Sequence, residues 1–98
     1  SYKGGFKMNK EIFISRVNNG IANGKKYMAV IVVTDDMIAP EVIINPVDNF
    51  DTKFKYYREA YNDHMELISA KNNGKTIKII DVQMVNRLGD LTHKIMWR

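Results

Sequence analysis

Apolar residues recur along this chain with two different periods. Phe13, Val17 and Ile21 lie four apart with Ile12 beside them, the single stripe of an amphipathic helix of about three turns. Asn9 is placed to cap its first N–H groups, and Glu11 sits where the helix dipole favours a negative charge. Gly20 is expected to weaken the end of this helix and Asn23-Gly24 to stop it. Tyr27 to Val33 is then apolar at every position and rich in β-branched residues, the pattern of a central strand covered on both faces. Thr34 to Pro40 reads as a loop. Glu41 to Asn45 reads as a short strand antiparallel to the first, ended by Pro46, which cannot donate to a ladder.

The helical period returns at Phe54, Tyr57, Tyr61, Met65 and Ile68, with Ala60 and Leu67 widening the stripe. It predicts one long helix from Asn49 or Asp51 to Lys71, stopped by Gly74. Asp51–Lys55 and Lys55–Glu59 are i,i+4 pairs on its outer side. Thr76 to Val85 predicts a third strand. Its apolar phase switches at Ile79-Ile80, which points to a bulge or to burial on both faces. Asn86 to Asp90 reads as a turn in which Gly89 can take positive φ. From Leu91 the alternation of Leu91, His93, Ile95 and Trp97 with Thr92, Lys94, Met96 and Arg98 predicts a fourth, half-buried strand.

The expected fold is therefore α+β, with two helices packed on one face of a mainly antiparallel four-stranded sheet, in the order α-β-β-α-β-β. The fully apolar first strand asks for cover on its other face as well. A homodimer through that face is one solution, and an N-terminal arm carrying Tyr2 and Phe6 is another.

Composition narrows the class. The 98 residues suffice for one domain, taken as residues 8–98, with residues 1–7 an arm or a non-native remnant ahead of Met8. The absence of cysteine excludes disulfides and thiolate metal sites and fits a reducing compartment. No run of about 18 apolar residues is present to span a membrane. The net charge is +4, with six basic and five acidic residues in 1–49 against nine and six in 50–98. This excess permits an acidic partner without demanding one.

Candidate chemistry is sparse, and no cofactor is expected. His64 and His93 lack further ligands at helical spacing. Ser15 and Ser69 fall in expected helices without a nucleophile turn. Asp35-Asp36 and the acids Glu59, Asp63 and Glu66 read as solvated charge rather than as a facing carboxylate pair. Nucleic-acid binding has a fuller set: Lys53, Lys55, Tyr56, Arg58, Lys71, Lys75, Lys78, Arg87, Lys94 and Arg98, basic groups for phosphates with rings among them for stacking. Acids interrupt that set, and Phe54, Tyr57 and Tyr61 belong to the core stripe. Protein binding needs only an apolar patch with a polar rim. Its candidates are Met37 and Ile38 at a loop tip, and Met96 and Trp97 near the C-terminus.

Ile43-Ile44-Asn45-Pro46, Asn49-Phe50-Asp51, Lys55-Tyr56-Tyr57 and Ala60-Tyr61-Asn62-Asp63 together resemble small uncharacterised proteins encoded by phages and prophages of Gram-positive bacteria. The resemblance implies a bacterial cytoplasmic setting and an accessory role, such as binding a host factor or a defence component, and assigns no residue a role. The expectation is a non-enzymatic protein-binding module, with a small nucleic-acid-binding protein as the alternative.

Overall fold

The computed structural model describes residues 7–36 and 39–91. Its elements are α1 (Lys10–Ala22), β1 (Tyr27–Thr34), β2 (Glu41–Pro46), a 3-10 turn (Val47–Asn49), α2 (Phe50–Ala60), a single helical turn α3 (Ile68–Lys71), β3 (Ile77–Val85) and a second 3-10 turn (Leu88–Asp90). The strands form one antiparallel sheet in the order β2-β1-β3, with the apolar β1 at its centre. The fold is α+β, as expected.

Alternation along β1 sends Met28, Val30 and Val32 to one face. There they join Phe13 and Val17 of α1, Phe50, Phe54 and Tyr57 of α2, and Ile79 and Val82 of β3 in one core cluster. Both helices thus cover the same face of the sheet. Ala29 and Ile31 point to the other face, and they are also buried, 0% and 1% exposed. Burying them requires no second copy on that face. The arm with Tyr2 and Phe6 lies outside the described residues.

The helix α1 begins as its sequence predicts. Asn9 caps it, its Oδ1 accepting from the Ile12 N–H at 2.8 Å. It ends at Asn23, with Gly24 at φ 71°. Its inner stripe differs at one position: Ile21 is exposed, and Gly20 takes the buried place after Val17. A Cβ on Gly20 would stand 2.5 Å from the Met84 Cβ. Gly20 is therefore the point of close approach between α1 and β3, and more than a weak end to the helix.

Two larger expectations are corrected. The long helix stops at Ala60, and residues 61–67 form a folded loop before the single turn of α3. Ile68, assigned to the inner stripe, is 42% exposed. Among the described residues the sheet has three strands, not four, and the order is α-β-β-α-α-β. Leu91 follows the second 3-10 turn as a buried residue outside any strand, and the rest of the expected fourth strand, 92–98, lies outside the described residues. Part of the place beside β3 is taken by the loop: Glu66 bridges Lys78, Leu67 N–H donates to Ile77 C=O at 2.8 Å, and Ile79 N–H donates to Met65 C=O at 2.9 Å.

The bulge in the third strand is present. Ile31 faces Asp81 and Val32 faces Ile79, so Ile80 is the extra residue. Gly74 takes φ 75° after α3, whereas Gly24 and Gly74 are the only described glycines at positive φ and Gly89 is not among them.

Candidate functional site

The loop after α2 is built by Asn62. Its side-chain Oδ1 accepts from the His64 N–H at 2.9 Å and the Glu66 N–H at 3.0 Å. Its backbone N–H donates to Glu66 C=O, and its C=O accepts from Met65 N–H, both at 2.9 Å. An asparagine that bonds its own downstream backbone offers the chain an alternative to helix. Met65 closes the turn at φ 60°, a left-handed conformation that costs a non-glycine residue roughly 1–2 kcal/mol. Its side chain is wholly buried in the core, which offsets that cost at about 1.5–3 kcal/mol for a methionine. Asp63 C=O accepts from Lys10 N–H at 2.9 Å, so the loop also satisfies the first turn of α1.

Glu66 is held in this loop as an anion. Its Oε1 accepts from Asn62 Nδ2 at 3.2 Å and lies 3.3 Å from Lys71 Nζ. The Asn62 bond, with Lys71 and Lys78 nearby, brings its carboxyl below the ordinary value despite some desolvation. Asp63 and Glu66, expected on a helix face, therefore belong to the loop, and only Glu59 stands on α2.

A second arrangement stands on α2. Tyr57 and Tyr61 are buried, and Tyr56 beside them is 46% exposed. Tyr56 packs edge-on against Tyr57, centroids 5.4 Å apart, and against Tyr61 at 6.2 Å. Lys53 Nζ lies 5.9 Å from the Tyr56 ring. The exposed ring is thus braced by two buried ones and flanked by an ammonium. Burial raises the Tyr61 hydroxyl to about 12, with Tyr56 and Tyr57 adding to the rise. Burial also raises Tyr57, partly opposed by a hydrogen bond from Asn45. That asparagine, 2% exposed, donates through Nδ2 to Met28 C=O at 3.2 Å and to the Tyr57 hydroxyl at 3.4 Å, tying β2 to α2.

The expected nucleic-acid residues do not form one stripe. At about 100° per residue, Lys53 and Tyr56 occupy one flank of α2 and Arg58 the opposite flank, with Asp51, Lys55 and Glu59 between them. Arg58 lies over the Phe54 ring at 4.4 Å, and its C=O accepts from Lys10 Nζ at 2.6 Å. Lys71 and Lys78 serve Glu66, as above. Lys75 and Arg87 are exposed in connections away from α2. Lys94 and Arg98 lie outside the described residues, as do the expected protein-interface residues Met37, Ile38, Met96 and Trp97. Asp35 is bound to structure, its Oδ2 accepting from Thr76 N–H at 3.0 Å.

An open groove of about 330 Å³ runs between α1 and β3, lined by Arg16, Asn19, Gly20, Asn23, Gln83 and Met84 among others. At its rim the Asp81 carboxylate accepts from Arg16 at 2.6 Å, from Val82 N–H at 2.8 Å and from Gln83 Nε2 at 3.3 Å. The lining offers amides and cations but no carboxylate, histidine or hydroxyl. Among the described residues no three His, Asp or Glu groups converge to hold a metal, and no helix is long and apolar enough to cross a membrane.

The sequence reading missed Asn45, Asn62 and Gly20. Asn62-Asp63 is a turn-forming pair and was the available signal for the loop. Nothing in the local sequence marks Gly20 or Asn45 as contact points, since both depend on distant strands. Comparison of the chain with protein-family models, curated proteins and solved structures finds no match.

Proposed function

We propose that this chain is a non-enzymatic interaction module that binds another protein, in an accessory role of the phage or prophage kind in the bacterial cytoplasm. The observation that carries the reading is Tyr56. It is a large amphipathic side chain, 46% exposed, yet fixed by edge contacts with Tyr57 and Tyr61. Rigid tyrosines of this kind lose little entropy on binding and are favoured interface anchors. Lys53 beside it suits an acidic rim on the partner.

The same pair favours a second reading, single-stranded nucleic acid stacked on Tyr56 with Lys53 on a phosphate. Titration with fluorescent oligonucleotides separates the two. The protein-binding reading expects no salt-dependent affinity at low ionic strength. Affinity capture from a Gram-positive lysate should then retain a protein that survives nuclease treatment. Oligonucleotide binding whose affinity falls linearly with the logarithm of salt, together with capture abolished by nuclease, would replace the first reading with the second.

A further inference from the structure

The sheet hides more apolar residues than its two long helices cover. Cross-strand partners share a face. Ala29 therefore stands with Ile44 and Gln83, and Ile31 with Val42 and Asp81, on the side away from α1 and α2. An antiparallel sheet left bare on one side alternates apolar residues inward with polar residues outward. The strand β1 does not alternate, since Ala29 is 0% and Ile31 1% exposed. Neither belongs to the cluster that α1 and α2 share with the sheet, and nor do the buried residues Ala70, Ile80 and Leu91.

These three residues show where a cover can come from. Ile80 is the bulge residue of β3 itself. Ala70 lies in α3, which starts beside Leu67. Leu67 is bonded to Ile77, and Ile77 faces Thr34. Thr34 is five residues from Ala29, about 17 Å along the strand, so α3 does not reach Ala29. Leu91 belongs to the other end. The strand β3 finishes at Val85 opposite Tyr27, beside Ala29. Residues 86–90 are exposed, and at Leu91 the chain turns back into a buried place. The N-terminal arm approaches from the helix side, because Met8 lies within the main cluster.

From this placement we infer that residues 92–98 run back across the face of Ala29 and Ile31 and close it. Seven extended residues reach about 23 Å, more than the roughly 10 Å that separates β2 from β3 across β1. Leu91 sets the phase. In an extended chain His93, Ile95 and Trp97 turn to the same side as Leu91, which lays two large apolar side chains on the sheet and leaves Thr92, Lys94 and Arg98 outward. Trp97 thereby belongs to the fold and not to a partner surface. This face lies opposite the one that α2 covers, so the inference and the role of Tyr56 stand or fall independently.

Trp97 is the only tryptophan of the chain, so its emission reports on the segment in the intact, unlabelled protein. In dilute solution that emission should lie to the blue of the urea-unfolded chain, with acrylamide quenching reduced several-fold. Ile44→Asp sets a carboxylate at the margin of the face, at a residue 36% exposed. It should shift the emission to the red and restore quenching, with an unchanged circular dichroism spectrum. Ile21→Asp, on α1 and 40% exposed, should leave both as in the wild type. If Ile44→Asp does not fold, a nitroxide attached through Ile44→Cys decides, since the chain has no other thiol. It should quench Trp97 strongly, and the same label at Ile21→Cys should not. Emission equal to that of the unfolded chain would overturn the inference, as would a blue emission that neither Ile44 variant alters. A blue shift that appears only as concentration rises would also overturn it and assign the face to a second copy.

Discussion

The helix α2 and the loop that follows it cover the same core, but they direct their polar groups in opposite ways. On α2, Lys53, Lys55 and Tyr56 project into solvent, and the buried side is Phe50, Phe54 and Tyr57. In residues 61–67 the side chains of Asn62 and Glu66 are spent within the loop itself. The Asn62 amide closes the loop, Asp63 C=O holds α1, and Glu66 joins Asn62 to Lys71. A surface that displays its groups is free to bind, whereas one that consumes them holds the fold together. Substitutions in the loop should therefore act on stability, and substitutions on the Tyr56 flank should act on recognition.

Met65 should show the largest effect. Met65→Ala removes a wholly buried side chain and should cost about 2–5 kcal/mol in urea unfolding. Met65→Gly removes the same contacts but tolerates φ 60°. It should be less destabilised than the alanine variant by roughly 1 kcal/mol. If glycine proves the worse of the two, the left-handed turn is wrong.

Asn62→Ala leaves the His64 and Glu66 N–H groups without their acceptor and should cost about 1–3 kcal/mol, read as a lower unfolding midpoint. An unchanged midpoint would mean that the loop does not depend on this side chain.

Two titrations give smaller effects. Tyr61 has its hydroxyl raised from 10.0 to about 12. The unfolded chain ionises it first, so its contribution is complete below pH 10 and is lost as pH rises toward 12. Phenolate absorbance of the folded protein should show Tyr57 and Tyr61 both titrating late, and Tyr61→Phe should remove one of the two late groups. Glu66 has the opposite sign. Its folded carboxyl lies below the ordinary 4.5, so its contribution is present above that pH and is lost as pH falls through the folded value. Unfolding midpoints of Glu66→Gln and wild type should converge in acid. A constant gap across pH would contradict the Asn62–Glu66–Lys71 arrangement.

The comparison also shows what a sequence can disclose. Residues 54 to 68 keep one helical period throughout, yet the helix ends at Ala60. Hydrophobic spacing reports which side chains are buried, and Phe54, Tyr57, Tyr61 and Met65 are all buried as read. It does not report how the backbone delivers them. Here the local bonds of Asn62 outweigh the period, and the alternative pays no burial penalty because Met65 still reaches the core. The caps at Asn9 and Gly74, the central β1 and the bulge at Ile80 were legible because each is written in a few adjacent residues. The contact of Gly20 with Met84 arises between segments distant in sequence, and no local pattern announces it.

The central claim is that Tyr56 serves recognition. Side-by-side capture from a Gram-positive lysate by wild type and by Tyr56→Ala tests it most directly. Truncating this half-exposed ring removes two edge contacts and should cost about 1–3 kcal/mol, so circular dichroism first establishes that the Tyr56→Ala bait is folded. The account predicts that a nuclease-resistant protein retained by wild type is lost from the Tyr56→Ala bait. Equal retention by the two would contradict it.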